Sequence, residues 1–158
     1  MNVEYINPFV EGATNIIKNT CNVDVALGKP YLKASPFASN TVAIILGVTG
    51  DIKGQVIFNM PIESAKAIAS KMMMGMPVTE LDEMSKSAIS ELTNMILGTT
   101  ATIFYNKGIK IDITPPSLLL GESMQITTNK IENVSIPLEI TEIGAKFEID
   151  MALAENVE

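Results

Sequence analysis

The chain has 158 residues, of which 47% are apolar, so it is long and apolar enough to bury a core and is unlike a disordered segment. It contains no histidine and one cysteine, which excludes Ser-His-Asp and Cys-His catalysis, His-ligated metal sites and an internal disulfide. Its net charge of −7 argues against nucleic acid or an anionic membrane as a partner.

The compartment and the number of domains follow from a few simple features. Residues 1–12 lack a basic stretch followed by an apolar core, and no apolar run is long enough to span a bilayer. The single cysteine, Cys21, suits a reducing environment. We therefore expect a soluble, cytoplasmic protein with one domain over residues 1–158, ordered to about residue 153 and followed by a short C-terminal tail.

The first part of the chain predicts one helix followed by strands. Apolar residues recur every three or four positions over residues 4–19, which predicts an amphipathic helix. Residues 23–27 alternate as a strand does, and residues 31–33 resume that pattern after a break. Residues 41–48 and 56–58 are apolar and rich in β-branched side chains, and the turn-forming segment TGDIKG separates them. We expect these two runs to form a hairpin.

Two further helices are predicted after the hairpin. Pro61 is well placed as the first residue of a helix that Gly75 and Pro77 end. Thr79 is then expected to cap a long third helix, which runs from roughly Leu81 to Tyr105.

The last part of the chain returns to strand-like patterns. These segments are residues 109–113, 117–121, 123–127, 134–141 and 145–153. The last alternates cleanly, which predicts that one of its faces is exposed. The order of elements predicts an α+β fold in which a mostly antiparallel sheet packs against two or three helices, one of them long. The segments GQVIFNM and GAKFEIDM look loosely alike, a weak internal pseudo-repeat that leaves an ancient duplication open.

The long helix carries two different stripes. An apolar stripe, expected to be buried, consists of Ile89, Leu92, Ile96, Thr99 and Ile103. A narrower stripe consists of Ser87, Glu91, Asn94 and Gly98, which follow one another at intervals of one helical turn. Gly98 would flatten the helix surface and let a partner approach. The narrow stripe is either an ordinary solvent face, or a docking face whose carboxylate pairs with a cation of the partner and whose amide orients a water.

The pattern Ser87-x-x-x-Glu91-x-x-Asn94 resembles the signature of the CheC/CheX/FliY family of chemotaxis phosphatases. That family has Asp or Ser, then Glu, then Asn at this spacing, on a long helix that follows a shorter one. A proline lies a little over twenty residues beyond the Asn, about where Pro115 and Pro116 occur here. Length, acidic character and element order agree over nearly the whole chain.

Only one copy of the pattern is present. Glu11 and Asn15 of the first helix are four residues apart instead of three, and Asn7 replaces the small Ser or Asp before the Glu. A single copy is similar to the CheX branch of the family.

The resemblance implies a phosphatase that hydrolyses the aspartyl phosphate of the phosphorylated chemotaxis response regulator CheY. It implies that Glu91 pairs with a lysine of the regulator and that Asn94 holds a water in line with the phosphorus atom. Ser87, Gly98 and Pro116 would contact the partner. No cofactor or metal is expected on this chain, since the regulator would supply Mg²⁺. A homodimer formed through sheet edges is also implied.

Two other functions remain open at this stage. One is a non-catalytic adaptor of the same fold, which would bind a regulator or a flagellar-switch component without hydrolysis. The other is a hot-dog-like acyl-thioester enzyme, whose sheet also wraps around a long helix and which would need a polar catalytic group facing a tunnel between subunits.

Overall fold

The computed structural model describes residues 3–35, 37–38, 41–128 and 132–157. Its α-helices are α1 (Val3–Cys21), α2 (Ile62–Met72) and α3 (Glu83–Asn106). Its strands are β1 (Ala26–Leu27), β2 (Tyr31–Lys33), β3 (Phe37–Ala38), β4 (Val42–Gly50), β5 (Ile52–Met60), β6 (Ile111–Ile113), β7 (Ser117–Leu120), β8 (Gln125–Ile126), β9 (Asn133–Ile140) and β10 (Ala145–Glu155).

Eight of these strands form one sheet, in which every pairing is antiparallel. The order is β1-β9-β10-β5-β4-β6, with β2 also pairing with β9 and β7 also pairing with β4. Strands β3 and β8 form a separate two-stranded sheet. This confirms the predicted α+β fold. The two segments that look alike in sequence lie in β5 and β10, which pair with each other in the middle of the sheet.

The predicted hairpin is present as β4 and β5, but its strands are longer than expected. Only Asp51 separates them, so most of the predicted turn segment is paired. Gly54 makes this possible, because a Cβ at that position would lie 1.9 Å from the carbonyl oxygen of Ala152 on β10. Gly54 also has a φ of +147°, which L side chains rarely adopt.

One face of the sheet packs against all three helices and forms the main core. Its largest fully buried side chains include Phe9 of α1, Ile44 of β4, Phe58 of β5 and Ile96 of α3. Helix α1 runs along α3, and the rings of Phe9 and Phe104 meet edge to face with centroids 5.7 Å apart. None of the helices that the structure describes is long and apolar enough to cross a membrane.

The opposite face of the sheet is more buried than the sequence predicts. Asp150 of β10 was expected on an exposed face, yet it is 1% exposed. Lys33 of β2 lies over it, with its Nζ 3.3 Å from Asp150 and 3.2 Å from Glu148. The side-chain amide of Asn59 donates a hydrogen bond to Asp150 at 3.2 Å. The expectation was wrong because β2 covers this part of β10, and alternation cannot show what covers a face.

Glu148 is the best-bonded carboxylate of this cluster. The hydroxyl groups of Tyr31 and Ser135 both donate to its Oε2. Burial alone raises the pKa of Glu148, but the hydrogen bonds from Ser135 and Tyr31 and the charge of Lys33 together hold the pKa below its usual 4.5. For Asp150, burial dominates and raises the pKa. The cluster attaches the edge strand β2 to the centre of the sheet.

Three element boundaries differ from those predicted. The first strand is limited to β1 (Ala26–Leu27), which is shorter than residues 23–27. Pro61 is the N-cap of α2 and not its first residue. Strand β10 continues through Glu155, which pairs with Ile52, whereas the predicted strand ends at residue 153.

Candidate functional site

Helix α3 begins at a well-formed cap. Asp82 is the N-cap, and its carboxylate accepts from the backbone N–H of Ser85 at 2.9 Å and from the Ser85 hydroxyl at 2.8 Å. These hydrogen bonds from Ser85 hold the pKa of Asp82 below its usual value. The predicted cap at Thr79 and the predicted start at Leu81 are therefore wrong. Asp82 is the better cap because its carboxylate accepts from the backbone N–H of Ser85, three residues later. The helix therefore begins at Glu83.

The other end of α3 is closed by a left-handed residue. Gly108 has a φ of +84°, and its N–H donates to the carbonyl of Tyr105 at 3.0 Å. The N–H of Ile109 reaches back to the carbonyl of Phe104 at 2.9 Å. This is a Schellman motif, which satisfies the last helical carbonyls. Both ends are thus fixed, and the 24 residues between them make a helix about 36 Å long.

One side of α3 is buried against α1, α2 and the sheet. Its buried residues are Ser85, Ile89, Leu92, Thr93, Ile96, Leu97, Thr100 and Phe104. Three members of the predicted apolar stripe are among them, whereas Thr99 and Ile103 are only half-buried. The buried side determines which way the opposite side of the helix faces.

That opposite side carries the narrow stripe, which we term the α3 arc: Ser87, Glu91, Asn94 and Gly98. At 100° per residue these four positions fall within about 60° of the helix circumference. Ser87, Glu91 and Gly98 are exposed, and Asn94 is half-buried. A Cβ on Gly98 would meet nothing within 4 Å, so the surface beyond Asn94 is open.

The polar groups of the α3 arc are available to a partner. Among the described residues, the Glu91 carboxylate has no ion pair, and the side chains of Ser87 and Asn94 have no hydrogen-bond partner. The cation nearest in sequence, Lys86, pairs with Glu83 at 3.6 Å instead. The arc therefore offers one carboxylate for a cation and one amide that can both donate to and accept from a water.

Further exposed residues of α3 extend the helix face that carries the α3 arc, whereas one predicted site residue is not on this helix. Pro116 is half-buried in the connection between β6 and β7, two strands that both contact α3, but it is not on the helix itself. Met84, Thr102 and Tyr105 are exposed and continue the same arc toward both helix ends. The three-and-four spacing that marks the central residues also runs through these positions, so the sequence carried the signal.

The described residues also form a groove away from the predicted site. A groove of about 480 Å³ lies elsewhere, with Asn59, Pro61, Pro137 and Glu148 in its wall, and none of the predicted site residues lines it. Across the residues that the structure describes, no three acidic or cysteine side chains gather as a metal site would require.

Comparisons with known proteins identify the family of this chain. The family model described as "Chemotaxis phosphatase CheX" matches residues 42–139, a range that contains the whole arc. A curated relative, the CheY-P phosphatase CheX of Thermotoga maritima, is 31% identical over 126 residues. The match covers 80% of this chain and 81% of that protein.

Solved structures share the fold over nearly the full length. A CheC-like superfamily protein from Shewanella sp. PV-4 is 27% identical with a TM-score of 0.86, and the match covers 98% of this chain and 99% of that one. A chain of the CheX-CheY-BeF₃-Mg²⁺ complex from Borrelia burgdorferi is 30% identical with a TM-score of 0.80. That match covers 98% of this chain and 100% of the other.

Proposed function

This chain belongs to the CheX family of chemotaxis phosphatases, and from that premise we propose that it hydrolyses the aspartyl phosphate of a phosphorylated CheY-type response regulator. The observation that carries the proposal is the placement of Glu91 and Asn94 one turn apart, both accessible, on a helix face with one carboxylate and no cation. The relatives support it, since one is a CheY-P phosphatase and another was solved in complex with CheY.

Glu91 docks the regulator. Its exposed carboxylate is the one charge on the α3 arc, so it attracts a cation on the partner, and the lysine expected beside the regulator's phosphoryl group fits this role. An ion pair at the surface contributes little affinity by itself, but it fixes the orientation in which two proteins meet. The lysine thereby sets the register of α3 over the phosphorylated site.

Asn94 places the water. It lies about 4.5 Å along the helix axis from Glu91, so docking through Glu91 brings the amide to the phosphoryl group. The amide oxygen accepts a hydrogen bond from the water, whose oxygen forms the new bond to phosphorus. The bond between phosphorus and the aspartyl oxygen breaks, which releases inorganic phosphate and restores the regulator's carboxylate.

This chemistry asks little of the chain beyond positioning. Phosphoryl transfer depends mainly on alignment and on neutralisation of charge, and the regulator's own Mg²⁺ and lysine would supply the latter. This chain contributes no cofactor in the proposed reaction. Ser87 and Gly98 contact the docked regulator on either side of the pair, and we retain Pro116 as a partner contact that lies off the arc.

The acyl-thioester enzyme and the non-catalytic adaptor, the two alternative functions, differ in how well they agree with the matched structures. The matched structures have the CheC-like fold, not the hot-dog-like fold that the sequence left open. A non-catalytic adaptor would have the same fold and would also use Glu91. The accessible amide of Asn94 favours hydrolysis over simple binding, because binding alone needs no group to orient a water.

A homodimer through sheet edges and a cytoplasmic location complete the proposal. Leu27 and Leu32 are exposed on the edge formed by β1 and β2, and Leu119 and Leu120 on the edge that contains β7. Apolar edge strands tend to pair with another chain. The lone, buried Cys21 suits a reducing compartment. A monomeric mass by light scattering at micromolar concentration would refute the dimer.

The experiment that tests the function follows phosphate release from a phosphorylated CheY-type regulator. The regulator alone, the regulator with this protein, and the regulator with its Asn94→Ala variant are compared. We expect the wild type to accelerate release and the variant to bind without accelerating it. Binding by both proteins with no acceleration by either would establish the adaptor function instead, and absence of binding would refute the partner.

A further inference from the structure

A large apolar side chain lies beyond each end of the α3 arc on the same face of the helix. Met84, in the first turn of α3, is 63% exposed, and Tyr105, in its last turn, is 68% exposed. At 100° per residue, both positions fall within about 80° of circumference together with the four arc residues. Along the axis they lie about 32 Å apart, with Glu91 and Asn94 between them.

Exposure of this kind is unusual for the helices of this molecule. Among the helical residues whose side chains the structure describes, Met84 and Tyr105 are the two large apolar side chains that are exposed. The remaining exposed apolar residues of the described chain lie in strands, connections or the C-terminal segment. Methionine and tyrosine are both enriched in protein interfaces, where methionine adapts its shape to the partner and tyrosine buries a large ring.

Both side chains project from rigid ends of the helix. Met84 follows the Asp82 cap, which holds the first turn. Tyr105 adjoins Phe104, which is fully buried against Phe9. Binding groups on a preorganised element cost less to immobilise than groups on a loop.

We propose that Met84 and Tyr105 are the apolar anchors that hold the phosphorylated regulator on α3, and that they determine affinity without taking part in hydrolysis. This inference rests on the proposed function and names the surface through which the partner binds. The expected partner surface has a cation near its phosphoryl site, opposite Glu91, and an apolar patch on either side of it. A single carboxylate between two apolar ends is complementary to that arrangement.

Met84 and Tyr105 are expected to contribute to binding and not to hydrolysis, because both lie far from the reacting atoms. Met84 lies about 10 Å from Glu91 along the axis, and Tyr105 about 16 Å beyond Asn94, so neither side chain reaches the position where water attacks phosphorus. Contacts this far from the reacting atoms are made equally before and during the reaction. They therefore change KM and Kd and leave kcat unchanged.

The test combines a binding measurement with steady-state kinetics. Kd is measured for a CheY-type regulator loaded with BeF₃⁻ and Mg²⁺, and kcat and KM are measured for phosphate release from the phosphorylated regulator. The variants are Met84→Ala and Tyr105→Ala, with Met84→Leu and Tyr105→Phe as conservative replacements. Met74→Ala is the matched control, since Met74 is 97% exposed but lies between α2 and α3, off the arc.

We expect each alanine variant to raise Kd and KM about five- to thirtyfold with kcat within about twofold of wild type. The conservative variants and Met74→Ala should behave as wild type. Three results would each overturn the proposal that Met84 and Tyr105 are anchors. They are an unchanged Kd in both alanine variants, a fall in kcat alone, and an equal effect of Met74→Ala. If the wild type binds but does not hydrolyse, the proposed function fails while Kd still decides on the anchors. If it does not bind, both are refuted.

Discussion

Gly12 of α1 lies so close to Thr100 of α3 that a Cβ on Gly12 would be 2.4 Å from the Thr100 Oγ1. The same Cβ would be 3.1 Å from the carbonyl oxygen of Ile96. The Thr100 hydroxyl is fully buried and donates to that carbonyl at 2.8 Å, so displacing it would break a buried hydrogen bond. Helix α1 therefore supports α3 from the side opposite the α3 arc.

Replacing Gly12 should destabilise the fold. Gly12→Ala is expected to lower the free energy of unfolding by about 1–3 kcal/mol, because the added methyl group forces two packed helices apart. Urea denaturation measures the change. In a Thr100→Ala background the loss should shrink, since the closest atom is gone. A loss of the same size in both backgrounds would contradict the contact as its cause.

Gly98→Ala is the matched control for that experiment, and it should have the opposite sign. The same methyl group at Gly98 meets nothing within 4 Å, and alanine favours a helix interior by about 1 kcal/mol over glycine. We expect the free energy of unfolding to rise by about that amount. A lower free energy of unfolding would contradict this expectation, because it would mean that another group lies against the helix at Gly98.

A bulky residue at Gly98 should block docking without affecting the fold. In Gly98→Phe the ring would project from the centre of the arc, next to Asn94, where the regulator is proposed to approach. We expect Kd for the BeF₃⁻-loaded regulator to rise at least about tenfold, while the thermal midpoint stays at or above that of wild type. An unchanged Kd would place the docking surface elsewhere.

Asn94→Asp tests whether the amide must donate as well as accept. Aspartate has nearly the same shape, but its carboxylate cannot donate and it adds negative charge beside a phosphoryl group. We expect the accelerated part of phosphate release to fall about 100-fold, the scale of losing one well-placed polar group at a reacting centre. Retention of most of the activity would show that accepting a hydrogen bond from the water is sufficient and that the N–H of Asn94 is not required.

Glu91 should act mainly through binding. Glu91→Gln keeps the size of the side chain but removes the charge that pairs with the regulator's cation, and Glu91→Lys reverses it. We expect Kd to rise several-fold for the first variant and more for the second, with the wild-type affinity weakening as salt is added. Titrations at low and high salt measure both effects. A salt-independent Kd for the wild type would exclude the ion pair.

The pH dependence of the unfolding free energy should reveal the stabilising contribution of the ionised Glu148 carboxylate. Its folded pKa lies below 4.5, so the ionised carboxylate stabilises the fold above that pH and the stabilisation is lost as pH falls through the folded pKa. Glu148→Gln lacks this contribution. Its deficit in unfolding free energy against wild type should therefore be largest near about pH 7 and shrink toward about pH 3. Asp150, whose pKa is raised, titrates in both proteins.

Urea denaturation at several pH values measures this deficit. Glu139→Gln is the control, because Glu139 lies on the neighbouring strand β9 but is exposed. It should follow the wild-type curve at every pH. A deficit for Glu148→Gln that does not vary with pH would mean that the loss of packing, and not of charge, is responsible.

The sequence by itself determined the order of elements and the candidate site. Helical spacing is a local property, so positions three and four apart share a face wherever the helix is placed, and Ser87, Glu91 and Asn94 could be grouped without a structure. The same local pattern carries the resemblance to the chemotaxis phosphatases, and the comparisons establish membership of that family. The N-cap of α3 was harder to predict, because Thr79 and Asp82 are both acceptable cap residues. Only the hydrogen bonds from Ser85 to Asp82 distinguish them.

The tertiary structure decided what covers each surface. Alternation along β10 was visible in the sequence, but Asp150 is buried because Lys33, 117 residues earlier in the chain, crosses above it. The open surface at Gly98 and the exposure of Met84 and Tyr105 likewise depend on α1 packing on the other side of α3. Periodicity shows which residues share a face, whereas contacts between distant segments determine whether that face is buried or open to a partner.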